Sequence, residues 1–183
     1  RPFDVVYSSG TNINTTYLNG YSYIVYGEPA DLKYIPCQSS TGTFSCGGSS
    51  TIKNGGTSYY PYWVQAERAA DNTIHIAIHD TNDDLVMWTF APNTWTYRGT
   101  VSTNLEHETN HVHEIFALTP NRAAKAMTAL SLDTYSDTYY SPYSSNAWGA
   151  STAINTAPSS YQRFWDTIKS NADGTKQFVL SME

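Results

Sequence analysis

The chain has 183 residues, and its 10 Lys+Arg against 16 Asp+Glu give a net charge of −6. Charged residues are 14% of it and aromatics another 14%, including 15 tyrosines, which excludes an intrinsically disordered chain. No apolar run approaches the ~18 residues of a membrane-spanning helix, and the acidic balance argues against nucleic acid as a partner unless that partner is ribosomal RNA.

Taken in chain order, residues 3–7 (Phe-Asp-Val-Val-Tyr) read as a strand ending at Ser8-Ser9-Gly10. Asn14-Thr15-Thr16 is an N-glycosylation sequon, of use in a secreted glycoprotein. Tyr21 to Tyr26 is a second β-rich run, and Leu32 to Ile35 a short strand before Pro36. Residues 37–58 are rich in Gly, Ser and Thr and read as a long surface loop. Cys37 and Cys46, the only cysteines, lie in it. The pair reads better as a disulfide than as half a metal site, worth roughly 2–3 kcal/mol on the chain-entropy model. The chain starts at Arg1 without Met and shows no signal peptide, as expected of a processed, secreted protein.

Tyr62 to Arg68 fits a strand or a short helix. Ile74, Ile76 and Ile78 alternate with His75, Ala77 and His79, the pattern of a strand with one buried face. That places His75 and His79 on its polar side as surface residues. Asn82 marks a turn, Leu85 to Phe90 returns as the hairpin partner, and Trp95 to Tyr97 adds a further strand.

From residue 99 the period changes. Thr103-Asn104-Leu105-Glu106 is a capping box, and Leu105, Thr109, Val112 and Phe116 recur at helical spacing, predicting a helix to about Ala117. Thr119-Pro120 opens a second helix through Met127, with Pro at its first position. Residues 133–157 read as mostly irregular, a third helix runs from Ser159 or Ser160 to near Gly174, and Gln177 to Leu180 is a last strand. No internal repeat stands out. The expected fold is α+β, a single domain over 1–183, with an antiparallel β-meander in 1–98 and a mainly helical part in 99–183.

His107-Glu108-Thr109-Asn110-His111 matches H-E-x-x-H. On a helix the two imidazoles share a face and can hold one Zn²⁺, while the Glu between them takes a proton from metal-bound water. Here the sequence resembles the zincin metallopeptidases over about 15 residues. The resemblance implies a zinc-dependent hydrolase of peptide or protein substrates, with His107 and His111 as ligands and Glu108 as general base. Glu106 and His113 depart from the residues usual at those places in the family, and no family signature marks the third ligand. Asp133 and Asp137 are the candidate third ligands, with His113 and Glu114 as alternatives, and Tyr135 offers a phenol for the oxyanion. Glu and His among Asn and Thr also make an ordinary solvated helix face.

A second set of residues resembles the ribosome-inactivating rRNA N-glycosylases: Ala70 to Asn82 is similar to that family's meander, and Ser160 to Phe178 to its Trp-bearing helix. The resemblance implies that Trp88 stacks on a flipped adenine, yet the family's E-x-x-R pair is missing. A third reading needs no catalysis. Tyr and Trp in 133–165 form a surface for carbohydrate or protein, or else Tyr139, Tyr140, Tyr143 and Trp148 pack a loop over the core. The expectation from the sequence is therefore a secreted, monomeric zinc hydrolase, with the N-glycosylase and the aromatic-rich binding module as its alternatives.

Overall fold

The computed structural model describes residues 3–8, 21–28, 31–40, 43–54, 63–69, 73–80, 82, 84–91, 94–103, 116–121, 126–132, 138–145, 147–155, 165–171 and 176–182. Every helix or strand among them is a β-strand. The first sheet holds β1 (Phe3–Ser8), β2 (Tyr21–Glu28), β3 (Asp31–Ser40), β4 (Thr43–Cys46) and β5 (Ser50–Asn54), with β4 and β5 both pairing β3. The second is a four-stranded meander of β6 (Trp63–Arg68), β7 (Ile74–His79), β8 (Leu85–Ala91) and β9 (Thr94–Ser102). The third has β10 (Phe116–Asn121), β11 (Ala126–Leu132) and β12 (Thr138–Ser144), with β13 (Ala147–Trp148) and β14 (Thr152–Asn155) both on β12. The fourth pairs β15 (Trp165–Ser170) with β16 (Gln177–Met182). All pairings are antiparallel.

This overturns the α+β expectation. Phe116 and Ala117, the end of the first predicted helix, begin β10. Pro120 and Met127 of the second lie in β10 and β11. Residues 165–170 of the third form β15. The Ala-rich stretch around Ala126 favours helix intrinsically, but pairing on both sides of β11 outweighs a propensity of a few tenths of a kcal/mol per residue. The expected loop over 37–58 contains β4 and β5, and the irregular stretch over 133–157 contains β12 to β14.

The sheets stack face to face in chain order, and their first strands adjoin: β1 lies against β6, β6 against β10, and β10 against β15. One core joins the first and second sheets through Tyr23, Val25, Leu32, Val64, Ile74, Ile76, Ile78 and Phe90. A second joins the second and third sheets through Ala77, Leu85, Met87 and Tyr143. Each large side chain so buried contributes roughly 1.5–3 kcal/mol. Antiparallel meanders set side by side in this way, first strand innermost, are arranged as consecutive blades of a β-propeller.

The stacking reveals a repeat. Fifty-three residues separate Trp63 from Phe116, Leu85 from Thr138, and Thr94 from Ala147, each pair opening equivalent strands. From the second strand outward the register repeats with them: Phe90 opposes Trp95 as Tyr143 opposes Trp148, and Met87 opposes Gly99 as Tyr140 opposes Thr152, whereas β10 is shifted by one residue against β11 relative to β6 and β7. The bulge between Leu85 and Val86 recurs between Thr138 and Tyr139. Gly99 sits beside a further bulge of β8 and β9 at a φ of 98°, a conformation that suits glycine. Cys37 of the first sheet lies fifty-three residues before Phe90, and it opposes Cys46 and forms a disulfide with it.

Candidate functional site

The two described interfaces between sheets carry aromatic clusters. Between the first and second sheets, Phe90 and Trp95 stack at 4.5 Å with a 25° interplanar angle, because they oppose one another on neighbouring strands. Tyr34 leans on Trp95 at 5.3 Å, and Tyr23 meets Phe90 edge-on at 5.5 Å. Tyr21 continues the row and donates its hydroxyl to Gln38 Oε1 at 3.3 Å. Farther along the same face, the half-buried Trp88 supports Tyr97, their rings 5.2 Å apart. Tyr97 is 49% exposed and shares a 3.4 Å hydrogen bond with Thr100.

Between the second and third sheets the corresponding pair is Tyr143 and Trp148, 5.1 Å apart. His75 stands edge-on to both rings, at 4.7 Å from Tyr143 and 6.3 Å from Trp148. A polar set lies on this side as well. Arg98 Nε donates to Thr89 at 2.8 Å, Ser141 and Ser151 share a 2.8 Å bond, and Ser151 donates to the Val101 carbonyl at 3.0 Å, tying the third sheet to the second. The indole nitrogens of Trp88, Trp95 and Trp148 are buried with no hydrogen-bond partner among the described residues. Elsewhere Lys33 bridges Glu28 and Asp31 at the β2–β3 turn, and its hydrogen bond to Glu28 holds its pKa above the ordinary lysine value despite partial desolvation.

His75 and His79, expected on a surface, are 1% and 3% exposed. The alternation in β7 is real, but both faces are covered: the isoleucines face the first sheet, and the histidine side faces the third. Trp88, the base-stacking candidate, is packed against Tyr97, and β15 occupies the place of the Trp-bearing helix of the N-glycosylase resemblance. Of the aromatics read as packing a loop, Tyr143 is buried in β12, Trp148 is half-buried in β13, and Tyr140 is exposed.

His107, Glu108, His111, His113, Glu114, Asp133, Tyr135 and Asp137 lie outside the described residues. The zinc-hydrolase reading is nonetheless corrected by what surrounds them. It required a helix running to Ala117 in a helical half, and the described residues of that half are strands. Among the described residues no group of three His, Cys, Asp or Glu is placed to hold a metal ion. Asp133 and Asp137 belong to a sequence match. They fall fifty-three residues after Asp80 and Asp84 in a shared D-T-x-x-D sequence. In the second sheet Asp80 closes a turn, its Oδ1 accepting from the backbone N–H of Asn82 at 2.9 Å and of Asp84 at 3.2 Å. The signal that sequence reading missed was this turn together with the [FY]-x-x-N-x-W spacing of 90–95 and 143–148.

No family model matches the chain, and no curated protein matches it. Among solved structures it is similar to a triple arginine-to-alanine mutant of AofleA from Arthrobotrys oligospora, at 12% identity and a TM-score of 0.43. The match covers 95% of this chain and 63% of that one, so this chain spans under two thirds of its length.

Proposed function

We propose that the chain is a non-catalytic binding module that works outside the cell and holds a neutral, hydroxyl-rich ligand, a carbohydrate, against aromatic side chains at the rims of the interfaces between its sheets. The observation that carries this reading is Tyr97, a ring 49% exposed and seated on the half-buried Trp88. A large aromatic held in water by a rigid neighbour offers an apolar face at low entropic cost, with a hydroxyl beside it for polar contact. Binding sites of this kind combine aromatic lining with a few placed polar groups, here supplied by Thr100 and the Ser- and Thr-rich strands around it. The low charge content favours a neutral ligand over phosphate or acidic polymer. The Cys37–Cys46 bond supports an extracellular setting, where disulfides persist.

A glycan array followed by calorimetry tests the reading. The wild-type chain retains a defined set of neutral glycans, and Tyr97→Ala weakens the best of them about tenfold or more, ~1.4 kcal/mol, with an unchanged unfolding midpoint. Retention of peptides instead of glycans, or full affinity in Tyr97→Ala, contradicts it.

A further inference from the structure

Strands β7 to β14 hold a single Lys, Arg, Asp or Glu, and it is Arg98 on β9. We infer that Arg98 is the centre of a second ligand site, at the seam between the second and third sheets, that takes the carboxylate of an acidic sugar residue. The site stands apart from the aromatic platform proposed above. Tyr97 meets Trp88, which packs toward the first sheet, whereas Arg98 bonds Thr89 on the other face. Thr89 opposes His75, whose ring meets Tyr143 of the third sheet, so that face is the one toward the third sheet.

The strand pairing builds the position. Met87 opposes Gly99 and Trp88 opposes Tyr97, which leaves Arg98 as the extra residue of a bulge, a device that re-aims a side chain. One edge of the guanidinium is then fixed. Nε donates at 2.8 Å to Thr89, which is itself 1% exposed and held within the packed sheet. The terminal N–H groups have no partner among the described residues. Arg98 is half-buried, so its uncompensated charge is partly desolvated at a cost that an anion offsets. A cation already held in place also loses little freedom when the anion arrives.

The ligand follows from what the guanidinium still offers. With Nε taken, one N–H from each terminal nitrogen remains as a parallel pair, which matches two oxygens of a carboxylate or a phosphate. Charge selects between them: one guanidinium offsets one negative charge, and a chain of net charge −6 repels a dianion or a polyanion. The neighbours select a sugar. β13 lies beside β9 and brings the half-buried Trp148 to the seam. The exposed Ser151 donates to the Val101 carbonyl of β9 at 3.0 Å, and its oxygen keeps a lone pair for a ligand hydroxyl. An aromatic side chain and a hydroxyl beside a guanidinium suit a sugar acid better than a bare carboxylate.

The test titrates the full chain, by calorimetry and NMR, with glucuronic acid, N-acetylneuraminic acid, the methyl ester of each, and acetate. The expected result is one molecule of at least one acid per chain, with a shift of the Arg98 Nε–H signal. That acid binds at least tenfold more tightly than its ester and than acetate. Arg98→Gln, with the wild-type unfolding midpoint, weakens the acid tenfold or more, while Tyr97→Ala leaves it unchanged. The ester comparison is made on the wild-type chain, so it decides the matter even where Arg98→Gln does not fold. Equal binding of acid and ester, equal binding of acetate, no binding of either acid, or full affinity in a folded Arg98→Gln overturns the inference. Loss of the acid in Tyr97→Ala merges the two sites and overturns it as well. Failure of the neutral-glycan reading shows differently, as no neutral glycan retained while the acid still binds.

Discussion

His75 distinguishes a strand with one wet face from a strand held between two sheets. Its ring is 1% exposed and edge-on to Tyr143 and Trp148. Replacement by lysine puts a flexible cation among these rings and strands it from water, which in a packed interior destabilises by several kcal/mol. We therefore expect His75→Lys to lower the stability measured by urea unfolding by about 3 kcal/mol or more. A surface position loses under about 0.5 kcal/mol. The same logic explains why the histidines misled the sequence reading. Alternation of Ile with His and Ala records which side chains share a face, and it does not record whether the second face meets water or another sheet.

At the scale of elements, one hairpin position is solved in three ways. In the first sheet Cys37 and Cys46 close it with a covalent bond, in the second Phe90 and Trp95 stack, and in the third Tyr143 and Trp148 pack. In the first and third sheets a proline precedes the pair and a glycine follows it. Gly47 N–H donates to the Pro36 carbonyl at 2.8 Å, and Gly149 N–H to the Pro142 carbonyl at 2.7 Å. Space is tight at the second of these glycines only. A Cβ on Gly149 would stand 3.1 Å from Pro142 Cγ, against 3.4 Å for Gly47 and Pro36. Gly149→Ala is thus expected to destabilise by about 1 kcal/mol through overpacking, while Gly47→Ala leaves stability unchanged or slightly raised by the lower entropy of its unfolded chain, both read from urea midpoints.

Strands before residue 99 were legible because β-branched and aromatic residues alternate between Gly, Pro, Asn and Asp turns. The segments after it were read as helix because apolar residues three or four apart, such as Val112 and Phe116, and an Ala-rich run match a helical period by composition alone. In β10 and β15 sheet pairing overrides that local preference.

The repeat escaped notice at the scale of the whole molecule for a related reason. Aligning residues 63–102 with residues 116–155 leaves few identities, among them Asp80 with Asp133, Asn93 with Asn146, and Trp95 with Trp148. What repeats from the second strand outward is register: Ile76 opposes Trp88 as Ala129 opposes Ser141, though the side chains differ in size and polarity. The aromatic side chains between the sheets belong to this repeat, and the helix that the zinc-hydrolase reading required does not. The candidate site was legible as a supply of Tyr and Trp, but not as a place, since which rings meet is decided only once two sheets stack.

The account stands on stacked β-sheets continuing through the second half of the chain, and NMR backbone assignment tests that directly. Cα and Cβ secondary shifts over Phe116–Asn121, Ala126–Leu132 and Trp165–Ser170 should all carry the sign of extended strand, with cross-strand Hα contacts or amide contacts linking Pro120 to Met127 and Ile168 to Val179. Helical shifts running through Phe116 and Ala117, or across Trp165 to Ser170, would contradict the fold and the binding site proposed on it.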